Sequence, residues 1–174
     1  MQPRERILET AFTLFHKQGY NSTGINQIIA DSNVAKASFY QHFKSKEDLC
    51  VEFLNKRHGF WFDRLNKFTS KSRTSKTKIL ASFDFLIAMN EAENFRGCSF
   101  LNLLSEIPSD NTKILNVIQR HKNDLREYFR KYLADKQLAD HIYLLFESAI
   151  IESQLFKSQW PVTKSKSIVN TIIN

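Results

Sequence analysis

Residues 20–49 read YNSTGINQIIADSNVAKASFYQHFKSKEDL, and the order of turn formers and apolar residues in this stretch decides the fold. Thr23 has the chemistry of an N-cap, and Ile25, Ile28 and Ile29 follow at helical spacing, which predicts a short helix over 24–32. Asn33 comes next. Asparagine is the non-glycine residue that best tolerates positive φ, so a tight turn is expected there. A second short helix is expected over 35–43. Phe39 and Phe43, four apart, share its buried face, while Lys36, Ser38, Gln41 and His42 lie largely off it. Ser45 and Asp48 stand at capping-box spacing for the next helix. Short helices separated by one tight turn form a helix-turn-helix unit.

Outward from this unit, the pattern stays helical. Upstream, Ile7, Leu8, Ala11, Phe12, Leu14 and Phe15 repeat at helical spacing, with Pro3 suited to the first turn and Gly19 to the position past the end. Downstream, a long fourth helix is expected to about Lys67. A polar, basic connection follows, TSKSRTSKTK at 69–78, then a fifth helix over 77–93. A short sixth helix lies in CSFLNLLSE at 98–106, stopped by Pro108. Ser109 or Asp110 caps a seventh to Leu133, an eighth runs over 136–158 and ends before Pro161, and Thr163 caps a ninth. With 4 Gly and 3 Pro in 174 residues and no strand candidate, the expected fold is all-α with about nine helices. The domains expected are 1–48 and 49–174.

Composition narrows the function. No run of about 18 apolar residues is present, and the N-terminus lacks the features of a signal peptide, so a cytoplasmic protein without a membrane partner is expected. Cys50 and Cys98 stand in no CxxC or His-spaced pattern, which points to reduced thiols and no metal or other cofactor. The net charge of +7 is local: residues 49–78 carry eight Lys and Arg against two Asp and Glu, whereas residues 79–174 carry eleven of each. No nucleophile–base set, phosphate loop or metal cluster supports an enzyme.

The stretch from Gly19 to Leu49, with Phe39-Tyr40, His42-Phe43 and Ser45-Lys46-Glu47-Asp48-Leu49 in fixed order, resembles the DNA-binding domain of the tetracycline-repressor (TetR) family over residues 4–50. Beyond residue 50 the likeness is one of layout, and the ninth helix is short for the family. Three positions depart from the family pattern: Asn33 stands for a turn glycine, Ala35 for a Ser or Thr, and Gly24 for a hydroxyl residue. The resemblance implies an all-α homodimer whose N-terminal domains bind operator DNA and whose C-terminal domain binds a small molecule that releases the DNA. An activator, or a regulator controlled by a protein partner, fits the same features.

Chemistry and resemblance together select the sites. Ala35, Lys36, Ala37, Ser38 and Gln41 give the short, polar face a recognition helix needs to approach base edges. Thr23, Tyr40, His42 and Lys46 have groups that donate to phosphate. Lys56 to Lys78 reads as a solvated basic run pointing away from DNA. For an apolar or aromatic effector the candidates are Phe60, Trp61, Phe85, Met89, Cys98, Phe100, Leu103, His121, Phe146 and Glu147. Cys98, at the start of the sixth helix, reads chiefly as a small buried residue and secondarily as a redox-sensitive thiol. The eighth helix is apolar around most of its circumference, so a second copy of the chain is expected against it, with His141, Leu144, Leu145, Ser148, Ile151, Glu152 and Leu155 at a two-fold interface formed with the ninth helix.

Overall fold

The computed structural model describes residues 1–173. Their regular elements are all helices: α1 (Pro3–Gln18), α2 (Ile25–Asp31), α3 (Lys36–His42), α4 (Lys46–Thr69), α5 (Ser75–Ala92), α6 (Ser99–Leu104), α7 (Thr112–Tyr132), α8 (Lys136–Phe156) and α9 (Trp160–Ile172). They form two compact units. Of the described residues, one comprises 1–59 and 99–119, the other 60–98 and 120–173.

In the first unit the core is built by Ile7, Ala11 and Phe15 of α1, Ile28 of α2, Phe39 of α3, and Phe43, Leu49, Phe53 and Leu54. Phe15 and Phe12 both meet the Phe53 ring edge-on, at 5.5 and 5.6 Å between centroids. Phe100, Leu103, Ile114, Val117 and Ile118 are buried in the same unit. Polar contacts tie these elements together: Glu106 accepts from the Asn21 backbone N–H at 2.7 Å, Lys113 pairs with Asp48, and Ser99 Oγ lies 3.1 Å from His16 Nδ1.

The turns follow local chemistry. Gly19 ends α1 at φ 91°, and Asn33 adopts φ 51° between α2 and α3, as its side chain permits. Ser45 Oγ accepts the Asp48 N–H at 3.0 Å and so caps α4. Three caps differ from the sequence expectation. Thr23 does not cap α2; its hydroxyl donates back to the Gly19 carbonyl at 2.7 Å, and Gly24 takes the N-cap position. Asn111, not Ser109 or Asp110, caps α7 by accepting the Ile114 N–H at 3.1 Å. Pro161 opens α9 instead of merely following α8, because a proline in the first turn lacks only an N–H that has no helical partner there. Thr163 lies inside that helix, its hydroxyl donating to the Trp160 carbonyl.

The second unit has an aromatic core. Phe146 is fully buried and takes ring contacts from Phe83, Phe129 and Trp61 at 5.2, 5.3 and 6.3 Å. Ile79, Leu86, Leu125, Ala139, Ile142, Val162 and Val169 close the packing around it. Truncating such a ring to Ala costs about 3–5 kcal/mol. No helix among the described residues is long and apolar enough to cross a membrane.

Candidate functional site

Helix α3 carries two surfaces. Phe39 and Phe43 are buried, and on the other side Ala35, Lys36, Ala37, Tyr40, Gln41 and His42 are exposed, with Ser38 half-buried. Tyr40 stands edge-on to Phe39 at 5.2 Å, so its ring rests on the buried phenylalanine while the residue itself stays exposed. Ala35 offers no side-chain cap, and the N–H groups of the first turn are left without a side-chain acceptor there. A helix of this kind presents short side chains, a planar amide and three hydrogen-bond donors to whatever lies against it. Lys44, exposed beside His42, adds a cation that the sequence reading did not single out.

Two of the nine candidate DNA contacts are placed differently. Thr23 is fully buried with its hydroxyl engaged, so its side chain supports the end of α1 from within. Lys46 is half-buried, its ammonium 4.1 Å from the Tyr20 ring centroid, and burial lowers its pKa. Burial, with Cys50 and Glu47 nearby, pushes the Tyr20 phenol up to about 12.

The effector candidates divide by unit. In the second unit, Trp61 makes edge contacts with Phe85 at 5.3 Å and with His121 at 5.8 Å, and His121 also meets Phe62 at 5.6 Å. Met89 and Phe146 belong to the same packed cluster. Phe60 lies at the surface, its ring 4.9 Å from the Arg64 guanidinium. Phe100 and Leu103 are buried in the other unit. Cys98 and Glu147 are joined by Lys122, a residue absent from the sequence-derived set. Its ammonium donates to both Glu147 oxygens at 2.6 and 2.8 Å and to Cys98 Sγ at 3.3 Å. Burial opposes the charge on Lys122, but its neighbours Cys98 and Glu147 outweigh burial and hold its pKa above the ordinary lysine value. The signal was available: Lys122 interrupts the apolar positions Ile118, Leu125 and Phe129 on one face of α7.

On α8, His141, Leu144, Ser148, Ile151 and Leu155 recur every three or four residues and are all exposed, with Leu145 and Glu152 half-buried at the flanks. Leu144 is 61% and Leu155 67% exposed, an unusual amount of uncovered leucine for one stripe. Ile168 and Ile172 of α9, and Phe156 and Trp160, are exposed as well.

Residues 7–53 match the family described as bacterial regulatory proteins, tetR family. The likeness to this family is carried by the N-terminal segment. Among curated relatives, the HTH-type transcriptional regulator QacR of Staphylococcus aureus is 37% identical over 78 residues, which is 45% of this chain and 42% of QacR. LmrA of Bacillus subtilis is 51% identical over 53 residues, 30% of this chain and 28% of LmrA. The chain thus aligns with less than half the length of either regulator. The fold match is longer. The crystal structure of SCO4454, a TetR-family transcriptional regulator from Streptomyces coelicolor, superimposes with a TM-score of 0.87 at 22% identity, covering 97% of this chain and 88% of that one. All three are named as transcriptional regulators.

Proposed function

We propose that this protein is a homodimeric transcriptional repressor of the tetR family that leaves its operator when a small apolar or aromatic effector binds. The observation that carries the reading is the two-sided α3, with Phe39 and Phe43 buried and Lys36, Tyr40, Gln41 and His42 exposed on a short helix behind a tight turn. Gln41 has the paired donor and acceptor that read adenine, and Lys36 the donor for guanine or phosphate. Tyr40 and His42 donate to backbone phosphate and set the register. The exposed α8 stripe, extended by Ile168 and Ile172 of α9, supports a two-fold contact with a second copy, since buried leucine and isoleucine each contribute about 1.5–3 kcal/mol.

Helix α4 gives Lys46 to Gly59 to the first unit and Phe60 to Thr69 to the second. An effector that favours one pose of α4 over another therefore biases the DNA-binding helices. Selection of bound fragments from the genome of the source bacterium tests the proposal. A repressor of this kind enriches a palindromic site with half-sites one helical turn, about 34–36 Å, or a multiple of it apart. Enrichment of no sequence above background overturns it.

A further inference from the structure

Part of the basic run after the DNA-binding segment is not a solvated loop. Arg64, Lys67 and Phe68 stand on α4 at spacings of three and four that place them on one stripe, and Ser70 and Lys71 continue it past the helix end. On α5, Phe85, Ala88, Met89 and Ala92 repeat the same spacing. Together these residues line an open cleft of about 560 Å³ within the second unit, inside the size range of ligand pockets.

The two walls differ in chemistry. The α5 wall is apolar throughout, and the small side chains of Ala88 and Ala92 beside Phe85 and Met89 make it a trough. The α4 wall carries three cations, and no carboxylate lines the cleft. Among the described residues, Arg64, Lys67 and Lys71 take part in no ion pair. Arg64 and Lys67, three apart on α4, repel each other, so an anion seated beside them relieves a local cost. Phe68 reinforces the case. It is 45% exposed although its ring meets Phe85 edge-on at 5.7 Å, and it lines the same cleft as the three cations.

We propose that this cleft binds a monomeric amphiphilic anion: a long apolar body along Phe68, Phe85, Ala88 and Met89, and a single carboxylate-like head held by Arg64, Lys67 and Lys71. Guanidinium and ammonium donors hold such a head by charge-assisted hydrogen bonds, while the trough removes apolar surface from water. The inference rests on the effector-controlled reading above and names the chemical class of the effector.

Calorimetry on the full chain with sodium laurate below its micellar concentration tests the cleft directly. Methyl laurate is the neutral control. The R64Q/K67Q/K71Q variant removes the charges, and A92W, at an exposed position, obstructs the trough. Laurate is expected to bind at one site per chain and more tightly than its ester. The triple variant should lose about tenfold or more in affinity, and A92W should weaken laurate and ester alike. Equal affinity for laurate and ester, an unaffected triple variant, or binding only to vesicles of anionic phospholipid or to hexaglutamate overturns the assignment. A parallel operator gel shift separates the two readings. Laurate binding that depends on the three cations, with operator affinity unchanged, sustains the cleft and overturns its role as the effector site.

Discussion

Glu106 and Asn21 hold each other twice: the Glu106 carboxylate accepts the Asn21 backbone N–H at 2.7 Å, and the Asn21 side-chain amide donates to the Glu106 carbonyl at 2.9 Å. Glu106, two residues past the end of α6, is thereby fastened to the loop that leads into the helix-turn-helix. The same carboxylate stands over Gly19, where an added Cβ would meet it at 2.6 Å, and Gly19 has φ 91°. Gly19→Ala is therefore expected to destabilise the protein by about 1–2 kcal/mol, part from backbone conformation and part from the carboxylate. Glu106→Ala costs about 1 kcal/mol for the lost hydrogen bond. In the double variant the steric part vanishes, so the two effects sum to less than the separate losses in urea unfolding. Simple additivity would show that Glu106 does not crowd Gly19.

Tyr40→Ala tests the recognition face without touching the core, since the tyrosine is exposed and Phe39 beneath it carries the packing. Operator affinity is expected to fall at least about tenfold, near 1.4 kcal/mol, with the melting temperature and the dimer unchanged by sedimentation. A gel shift identical to that of the wild type removes Tyr40 from the interface.

Ile151→Glu places a carboxylate in the middle of the exposed α8 stripe. At that position it leaves the folded monomer intact, because Ile151 is 49% exposed in the single chain. Buried against a second copy, two such charges face each other across the axis, a cost of several kcal/mol. Sedimentation equilibrium is expected to show a shift from dimer to monomer, with operator binding weakened in parallel. A dimer of unchanged affinity places the interface elsewhere.

Tyr20 makes a pH-dependent contribution of definite sign. Its phenol ionises near the ordinary 10.0 in the unfolded chain and at about 12 in the folded one. Between those values the unfolded state releases the proton first, so stability that is complete below pH 10 declines as pH rises toward 12. Tyr20→Phe is expected to flatten this alkaline decline in chemical denaturation. An equally steep decline in the variant assigns it to other groups.

The helix-turn-helix was legible because its determinants are local. The 3.6-residue apolar period, the positive φ that Asn33 tolerates, and the Ser45 cap all act within a few residues. Thr23 misled because its hydroxyl has two acceptable partners, a helix N–H ahead and the Gly19 carbonyl behind, and only the packing of α1 decides between them. Pro161 misled because proline both follows helices and begins them. The Lys122 contacts with Cys98 and Glu147, and the cleft between α4 and α5, join residues from different segments of the chain, and no local pattern specifies such a pairing.

The two cysteines make the protein its own reporter of breathing. Cys50 is wholly enclosed and burial pushes its thiol pKa up, whereas Cys98 is partly accessible. An alkylating reagent therefore marks Cys98 in the intact fold and reaches Cys50 only when the first unit opens. In a Cys98→Ser background, the rate of Cys50 labelling measures the free energy of that opening alone, provided reclosing outpaces alkylation. Operator DNA that clamps the unit then slows the reaction in proportion to its occupancy, a chemical clock for DNA binding that needs no added dye.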